Sequence, residues 1–423
     1  FRSCYAGKEE HGSVRLPRSA GGKGRREADE ANKPAEVEAI EAFLFSQAEF
    51  RHNVITHHCE IRWTEEAGFL PLTDRDVNTL WGRMNKTVGR VYLTDIYNVI
   101  HSEFVPLFNP FQSYFDHLPS WDGVSDPIGD LADTVHVKSD QAEFRDYFRK
   151  WFVGILPALL DDTVVNHEIL VLIGEQGLYK TTWFNFLLPP ELRCYFYTKT
   201  NSDRLNKDDL FSLTEFALIC FEELDGMRPA ELNQLKAMVT MPYVNERAAY
   251  GRNKERHPHI ASFCGTGNNV QFLTDPTGNR RWLPFEVSQI RDPHLHAIPY
   301  ELVYSQAYAL WKSGFCHWFS QEEIRKLNMH NSRFEVPNLE EDLIRTHFRK
   351  PFEGEAGIFV TAADILEQIS SCLRYPLSPN KIGRIMAGLE FESIRYKGKR
   401  GYIAVKKTGE DIDRERRSGA LGL

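Results

Sequence analysis

The sequence has no apolar run approaching the length that a membrane-spanning helix needs, so no membrane partner is expected. Cysteine is scarce too. Seven are scattered without a C-x-x-C pair, and an odd number fits a disulfide framework poorly. Reduced thiols in a cytoplasmic protein are the simplest account. His57, His58 and Cys59 sit together, as do His257, His259 and Cys264, but neither set has the spacing of a zinc site. An excess of positive charge is also missing. A net charge of −8 excludes a protein that coats nucleic acid with its whole surface, and confines any DNA contact to local basic patches. The first residue is Phe1 and not methionine, so a longer parent chain is expected, and a signal peptide is argued neither way.

What is present is enough chain, 423 residues at 42% hydrophobic, for two or three domains with their own cores. The most informative stretch runs from Glu168 to Asn185, EILVLIGEQGLYKTTWFN. Ile169 to Ile173 reads as a strand buried on both faces. Gly174, Glu175, Gln176, Gly177, Leu178 and Tyr179 then form a glycine loop that leads into Lys180, Thr181, Thr182 and an apolar helix pattern. Strand, loop, Lys-Thr and helix in that order are the context of a phosphate-binding P-loop. In it, backbone N–H groups and the helix N-terminus face phosphate, Lys180 reaches the β/γ-phosphates of ATP, and Thr181 holds Mg²⁺. Tyr179 stands where the motif has its last glycine, which puts the fine geometry of the loop in question. The alternative is an ordinary strand-turn-helix with a surface lysine.

Upstream, residues 1–34 are rich in Gly, Ser and charge, without hydrophobic periodicity, and read as a disordered linker. Residues 35–136 read as a small helical domain, with helices over Glu36–Phe50, Asp74–Met84 and Leu93–His101 and an extended stretch over Asn53–Trp63. Gln141 to Leu160 is a strong helix with Phe144, Tyr147, Phe148, Trp151 and Phe152 at helical spacing. That stripe reads as core rather than as a base-stacking surface.

Downstream, Phe216 to Phe221 is a second buried strand and runs into Glu222-Glu223-Leu224-Asp225. An apolar strand ending in paired carboxylates, after a P-loop, reads as a Walker B element. Glu222 is assigned to the metal and Glu223 to the attacking water, with a swap or a role for Asp225 left open. A third strand over Ile260–Gly265 ends in Thr266-Gly267-Asn268-Asn269, and Asn268 is the candidate sensor of the γ-phosphate. Arg280 and Arg281 precede a further strand from Trp282 to Val287. They are either solvated or a source of the guanidinium that stabilises a transferring phosphate. Helices over Leu302–Lys312 and Gln321–Met329 read as a lid within 291–339. In 340–408, two helices and a hairpin turning at Gly398, with Lys397, Lys399 and Arg400 along the turn, look like a winged helix that binds DNA. Residues 409–423 read as a disordered tail.

GEQGLYKTT, FEELD with LKAMVT, NERAAYGR and FCGTGNN…DPTGNRRW together resemble the virulence-associated protein E family of P-loop ATPases, which is similar to the superfamily-three helicases of phages and mobile elements. The resemblance implies an α/β fold with an AAA+-like core at 137–290, assembled into a homo-oligomeric ring on single-stranded or forked DNA. It implies that Arg247, Arg252 and Lys254 lie on a hairpin gripping DNA in the channel. It further implies that one of Arg280 and Arg281 is offered to a neighbouring subunit, and that a primase-like domain can precede the ATPase. The function expected is an ATP-driven DNA helicase or translocase. The alternative is a nucleotide-gated initiator or regulator that does not unwind.

Overall fold

Every residue of Ile169–Ile173 is buried. A strand of this kind needs cover on both faces, and its two-residue alternation divides the cover. Ile169, Val171 and Ile173 enter one apolar cluster, and Leu170 and Leu172 enter another. The computed structural model describes residues 35–66, 68–200, 207–246, 255–274, 279–337, 339–352, 354–370 and 379–417, and this strand stands at the centre of its main sheet. Five strands run parallel in the order Trp282–Ile290, Ile169–Ile173, Ser262–Gly267, Leu218–Phe221 and Phe196–Lys199. A sixth, Val135–Val137, pairs antiparallel at the edge beside Trp282–Ile290.

One face is covered by the helix Gln141–Leu160, opened by Asp140, whose carboxylate accepts from Ala142 N at 2.9 Å. Phe144, Tyr147, Phe148, Trp151 and Phe152 are all buried there, so the aromatic stripe is core. Trp151 Nε1 donates to Phe263 O at 3.0 Å and locks that helix to the sheet. The other face is covered by Pro229–Val239 through Leu232, Leu235 and Met238. Tyr300–Lys312 and Gln321–Asn331 follow the sheet in sequence. The first is tied down by Tyr304, whose hydroxyl donates to Leu187 O at 2.9 Å.

The region expected to be a small helical domain is mixed. Its first helix ends at Gln47, and Ala48–Asn53 is a strand, paired with His58–Trp63 in a four-stranded sheet with Leu70–Pro71 and Leu107–Phe108. Ala48 follows Leu44 by four residues and so extends the helical pattern in sequence, yet Ala48 and Phe50 are buried as alternate residues of a strand. Residues 340–408 hold a separate cluster, in which Ala362–Ser370 and Pro379–Gly388 pack beside the hairpin of Ser393–Tyr396 and Lys399–Lys406. The expected tail at 409–423 is also corrected in part, since Gly409–Arg417 is a helix. Thr408 and Asp411 cap it reciprocally, with Asp411 N donating to Thr408 Oγ1 at 3.3 Å and Thr408 N to Asp411 Oδ2 at 3.0 Å. Residues 1–34 lie outside the described residues, and among those described no helix is long and apolar enough to cross a membrane.

Close packing behind the acidic turn rests on a glycine. A Cβ at Gly265 would lie 2.2 Å from Leu224 Cδ1 and 3.2 Å from Phe221 O, and Leu224 is fully enclosed. Gly265→Ala is therefore expected to destabilise the fold by about 1–3 kcal/mol through overpacking, read as a lower urea midpoint. An unchanged midpoint would mean that the Leu224 side chain has room to move.

Candidate functional site

Parallel register brings the carboxyl ends of the central strands level, Ile173 with Gly267 and Gly265 with Phe221. The loops leaving those ends converge on a cleft of about 350 Å³, lined by Gln176, Gly177, Leu178, Tyr179, Lys180, Thr181, Thr182, Glu222, Glu223, Thr266 and Asn268. Gly174 and Glu175 are outside this lining and reach it through their carbonyls, which accept from Lys180. A Cβ on Gly174 would meet Val287 O at 2.9 Å, so only glycine fits between the two strands.

Gly177 has φ 84° and Tyr179 has φ 59°, both left-handed. Tyr179 thus takes a conformation that glycine adopts freely, at a cost of about 1–2 kcal/mol. The helix Lys180–Phe186 starts immediately after it, and Trp183 N donates to Tyr179 O at 2.7 Å. A tyrosine side chain thus stands on a backbone conformation that favours glycine.

The Lys180 ammonium is buried and donates to Gly174 O at 2.6 Å, Glu175 O at 2.7 Å and Asn268 Oδ1 at 3.4 Å. Burial pulls its pKa below the ordinary lysine value, with Asp225 opposing. Thr181 Oγ1 donates to Glu222 Oε1 at 2.8 Å, so a hydroxyl and a carboxylate meet beside the helix N-terminus. These are hard oxygen donors of the kind that suit Mg²⁺. Glu223, next in sequence, is exposed to the cleft with a left-handed φ of 55°. Asp225 does different work. Its carboxylate accepts from Asn268 N at 3.2 Å and Asn269 N at 3.0 Å, and so ties the loop that carries Asn268 to the acidic turn. No pattern in sequence singled it out for that task.

Arg280 and Arg281 are not in the cleft. Trp282 is level with Ile169, so the arginines lie at the amino end of the sheet, about 20 Å away along a strand rising about 3.3 Å per residue. Arg280 is exposed and Arg281 half-buried. With His167, Glu168 and His317 they line a cavity of about 220 Å³. Burial pushes the Glu168 carboxyl up to about 7, with Lys150 and Arg281 opposing.

Arg247, Arg252 and Lys254 lie outside the described residues. The strands on either side, Tyr243–Glu246 and Glu255–Pro258, pair antiparallel, so the segment between them joins two strands that stand together. Lys397, Lys399 and Arg400 are exposed around a turn whose residues Lys397 and Gly398 have φ 48° and 79°. Arg395 faces Arg400 across it, a like-charge pair that costs stability in isolation.

A larger cavity of about 740 Å³ lies where the amino-terminal sheet meets the core. Its Arg51 is stacked 4.0 Å from the Phe69 ring and 3.6 Å from that of Phe108, and it pairs with Glu60 at 2.5 Å. Asn53 bonds both Glu60 and Tyr195 at 2.7 Å. That polar network is satisfied internally, and size alone does not make the cavity a site. Among the described residues no group of three His, Cys, Asp or Glu is arranged to hold a metal ion.

Residues 116–336 match the family model described as the virulence-associated protein E-like domain. No curated protein sequence matches the chain. Among solved structures, the apo structure of the NrS-1 C-terminal region (305–718) is similar at TM-score 0.46 and 12% identity, covering 88% of this chain and 99% of that one. An A-form apo structure of the same region gives TM-score 0.44 at 12% identity, over the same shares.

The raised Glu168 carboxyl has a stability signature. Its folded value of about 7 exceeds the ordinary 4.5, so its contribution is complete below about pH 4.5 and is lost as pH rises through about 7. Glu168→Gln should therefore reduce the fall in urea midpoint between about pH 5 and about pH 8. An identical fall in the variant would show that Glu168 titrates normally.

Proposed function

The chain belongs to the virulence-associated protein E-like family, and from that premise we propose that it is an ATP-driven DNA helicase or translocase serving the replication of a phage or mobile element. One observation carries the reading. The Lys180 ammonium, the Thr181–Glu222 pair at 2.8 Å and Asn268 converge on one cleft at the carboxyl ends of a parallel sheet. The order of the five parallel strands, in which the first in sequence lies between the fifth and the fourth, supports an AAA+-like core.

In this reading the loop N–H groups and Lys180 bind the β/γ-phosphates, and phosphate oxygens replace the loop carbonyls as partners of the ammonium. Thr181 and Glu222 would hold Mg²⁺, which when bound would neutralise charge developing on the transferring phosphoryl group. Glu223 accepts a proton from the attacking water, and Asn268 orients that water against the γ-phosphate. One of Arg280 and Arg281 acts on a nucleotide held by another subunit of a ring, because their own cleft is out of reach. The segment 247–254 contacts DNA in the channel. The exposed cations around Gly398 form a wing on the same polyanion, which relieves the Arg395–Arg400 repulsion. Tyr179 is compatible with this reading because its backbone takes the left-handed conformation open to glycine.

Lys180→Ala is expected to lose nucleotide binding and turnover together. Glu223→Gln should still bind nucleotide while turnover falls about 10²–10⁴-fold. Steady-state ATPase with and without single-stranded DNA checks both, and wild-type rates in Lys180→Ala would overturn the reading. For the wing, alanine at Lys397, Lys399 and Arg400 should weaken DNA binding and flatten its salt dependence by about one unit per lost contact, with maximal DNA stimulation intact. Titrations at two salt concentrations measure this, and an unchanged slope would remove the wing from the DNA surface.

A further inference from the structure

The short turn that carries the arginines is held from inside the core. Asn331, the last residue of the helix Gln321–Asn331, is 0% exposed. Its Nδ2 donates to Asn279 O at 2.8 Å and to Trp282 O at 3.0 Å. Both partners are carbonyls, so the nitrogen and not the oxygen of the amide must face them. Those carbonyls bracket Arg280 and Arg281, and one buried amide therefore fixes both ends of the dipeptide. Asn279 adds a brace, with Nδ2 donating to Glu335 Oε1 at 2.8 Å. The same helix is pinned to the following strand by His330, whose Nε2 lies 2.7 Å from Pro284 O.

Both side chains line the small cavity with Glu168, but they differ in exposure. Arg281 is half-buried beside Glu168, because Glu168 and Arg281 each precede a register partner, Ile169 and Trp282. Arg280 is exposed. Removing the Asn331 donors would take from both carbonyls the side chain that ties them to the helix Gln321–Asn331 and free the turn to shift. Misplacement on the scale of an ångström is enough to damage a phosphoryl-transfer site.

We infer that Asn331 is a positioning residue: it clamps the turn so that Arg280 is presented outside its own subunit while Arg281 stays beside Glu168. The inference rests on the proposal above that one arginine serves a nucleotide bound by a neighbouring subunit. It adds which arginine serves, and what holds it.

The test is a double-mutant comparison on the full chain. Asn331→Asp keeps the shape of the side chain and removes both donors. Turnover and nucleotide affinity are measured for Asn331→Asp, Arg280→Ala, Arg281→Ala and the combination of the first two. Asn331→Asp should lower kcat about 10–100-fold, with nucleotide affinity within about twofold of wild type. In the Arg280→Ala background it should add nothing further, because the residue acts through that arginine. Mixing with Lys180→Ala subunits, whose arginine turns are intact, should restore part of its turnover. Asn331→Ser keeps a single donor and stands in if the aspartate variant does not fold, with the same pattern at smaller size.

A merely structural Asn331 would lower the rate by the same factor with or without Arg280, and would not be rescued by mixing. Either result overturns the inference and leaves the finger reading standing, as does full activity in Asn331→Asp. Loss of turnover in Arg281→Ala and not in Arg280→Ala overturns the choice of arginine. If neither arginine variant loses turnover, the proposal of an arginine acting between subunits fails, and this inference fails with it.

Discussion

Ile173 sits level with Gly267 on one side and with Glu286 on the other, and that register sets where each loop of the cleft begins. Had either neighbour slipped by one residue, its alternating side chains would exchange faces and its apolar set would leave the core. The glycines on these strands reflect the same tightness. Gly174 lies against Val287 O, Gly265 against Leu224, and Gly267 against the Asp225 carboxylate. The chemistry of the cleft depends on backbones that approach more closely than side chains would allow.

Polar groups around the cleft are arranged in linked pairs. Asp225 joins the acidic turn to the Asn268 loop, Asn268 touches Lys180, and Thr181 touches Glu222. A change in any one of the three loops is thus felt by the others through one or two hydrogen bonds. Two of the described non-glycine residues with left-handed backbone, Tyr179 and Glu223, line this same cleft. Strain of that kind survives only where the surroundings fix it, and here the helix after Tyr179 and the strand before Glu223 do so.

Much of this arrangement was legible in sequence because its signals are local. Apolar runs marked the strands at Ile169 and Leu218, glycines and Lys180-Thr181 marked the loop, and the carboxylates followed their strand directly. Other features leave no local period. Asn331 reaches carbonyls some fifty positions upstream, and Asp225 reaches the Asn268 loop from the end of the neighbouring strand. The histidine clusters near His57 and His257 were read separately, yet their rings meet at 4.8 Å, as an aromatic contact between the amino-terminal sheet and the Glu255–Pro258 strand. The strand at Ala48 was hidden because its apolar residues also fit a continuing helix. The helix at Gly409 was hidden in a run of charge that masks its Thr408 cap.

The sheet itself acts as a spacer. Lys180 and the arginine pair stand at opposite ends of neighbouring strands, and no rotation of a side chain can close a gap of about 20 Å. In the proposed reading, a phosphate served by Arg280 or Arg281 is therefore one held by a different polypeptide. On that proposal the unit of chemistry would be an interface, and dilution alone would be an off-switch. On the same proposal, a solitary copy would hold nucleotide without consuming it, and output per molecule would rise with the local concentration of its own kind.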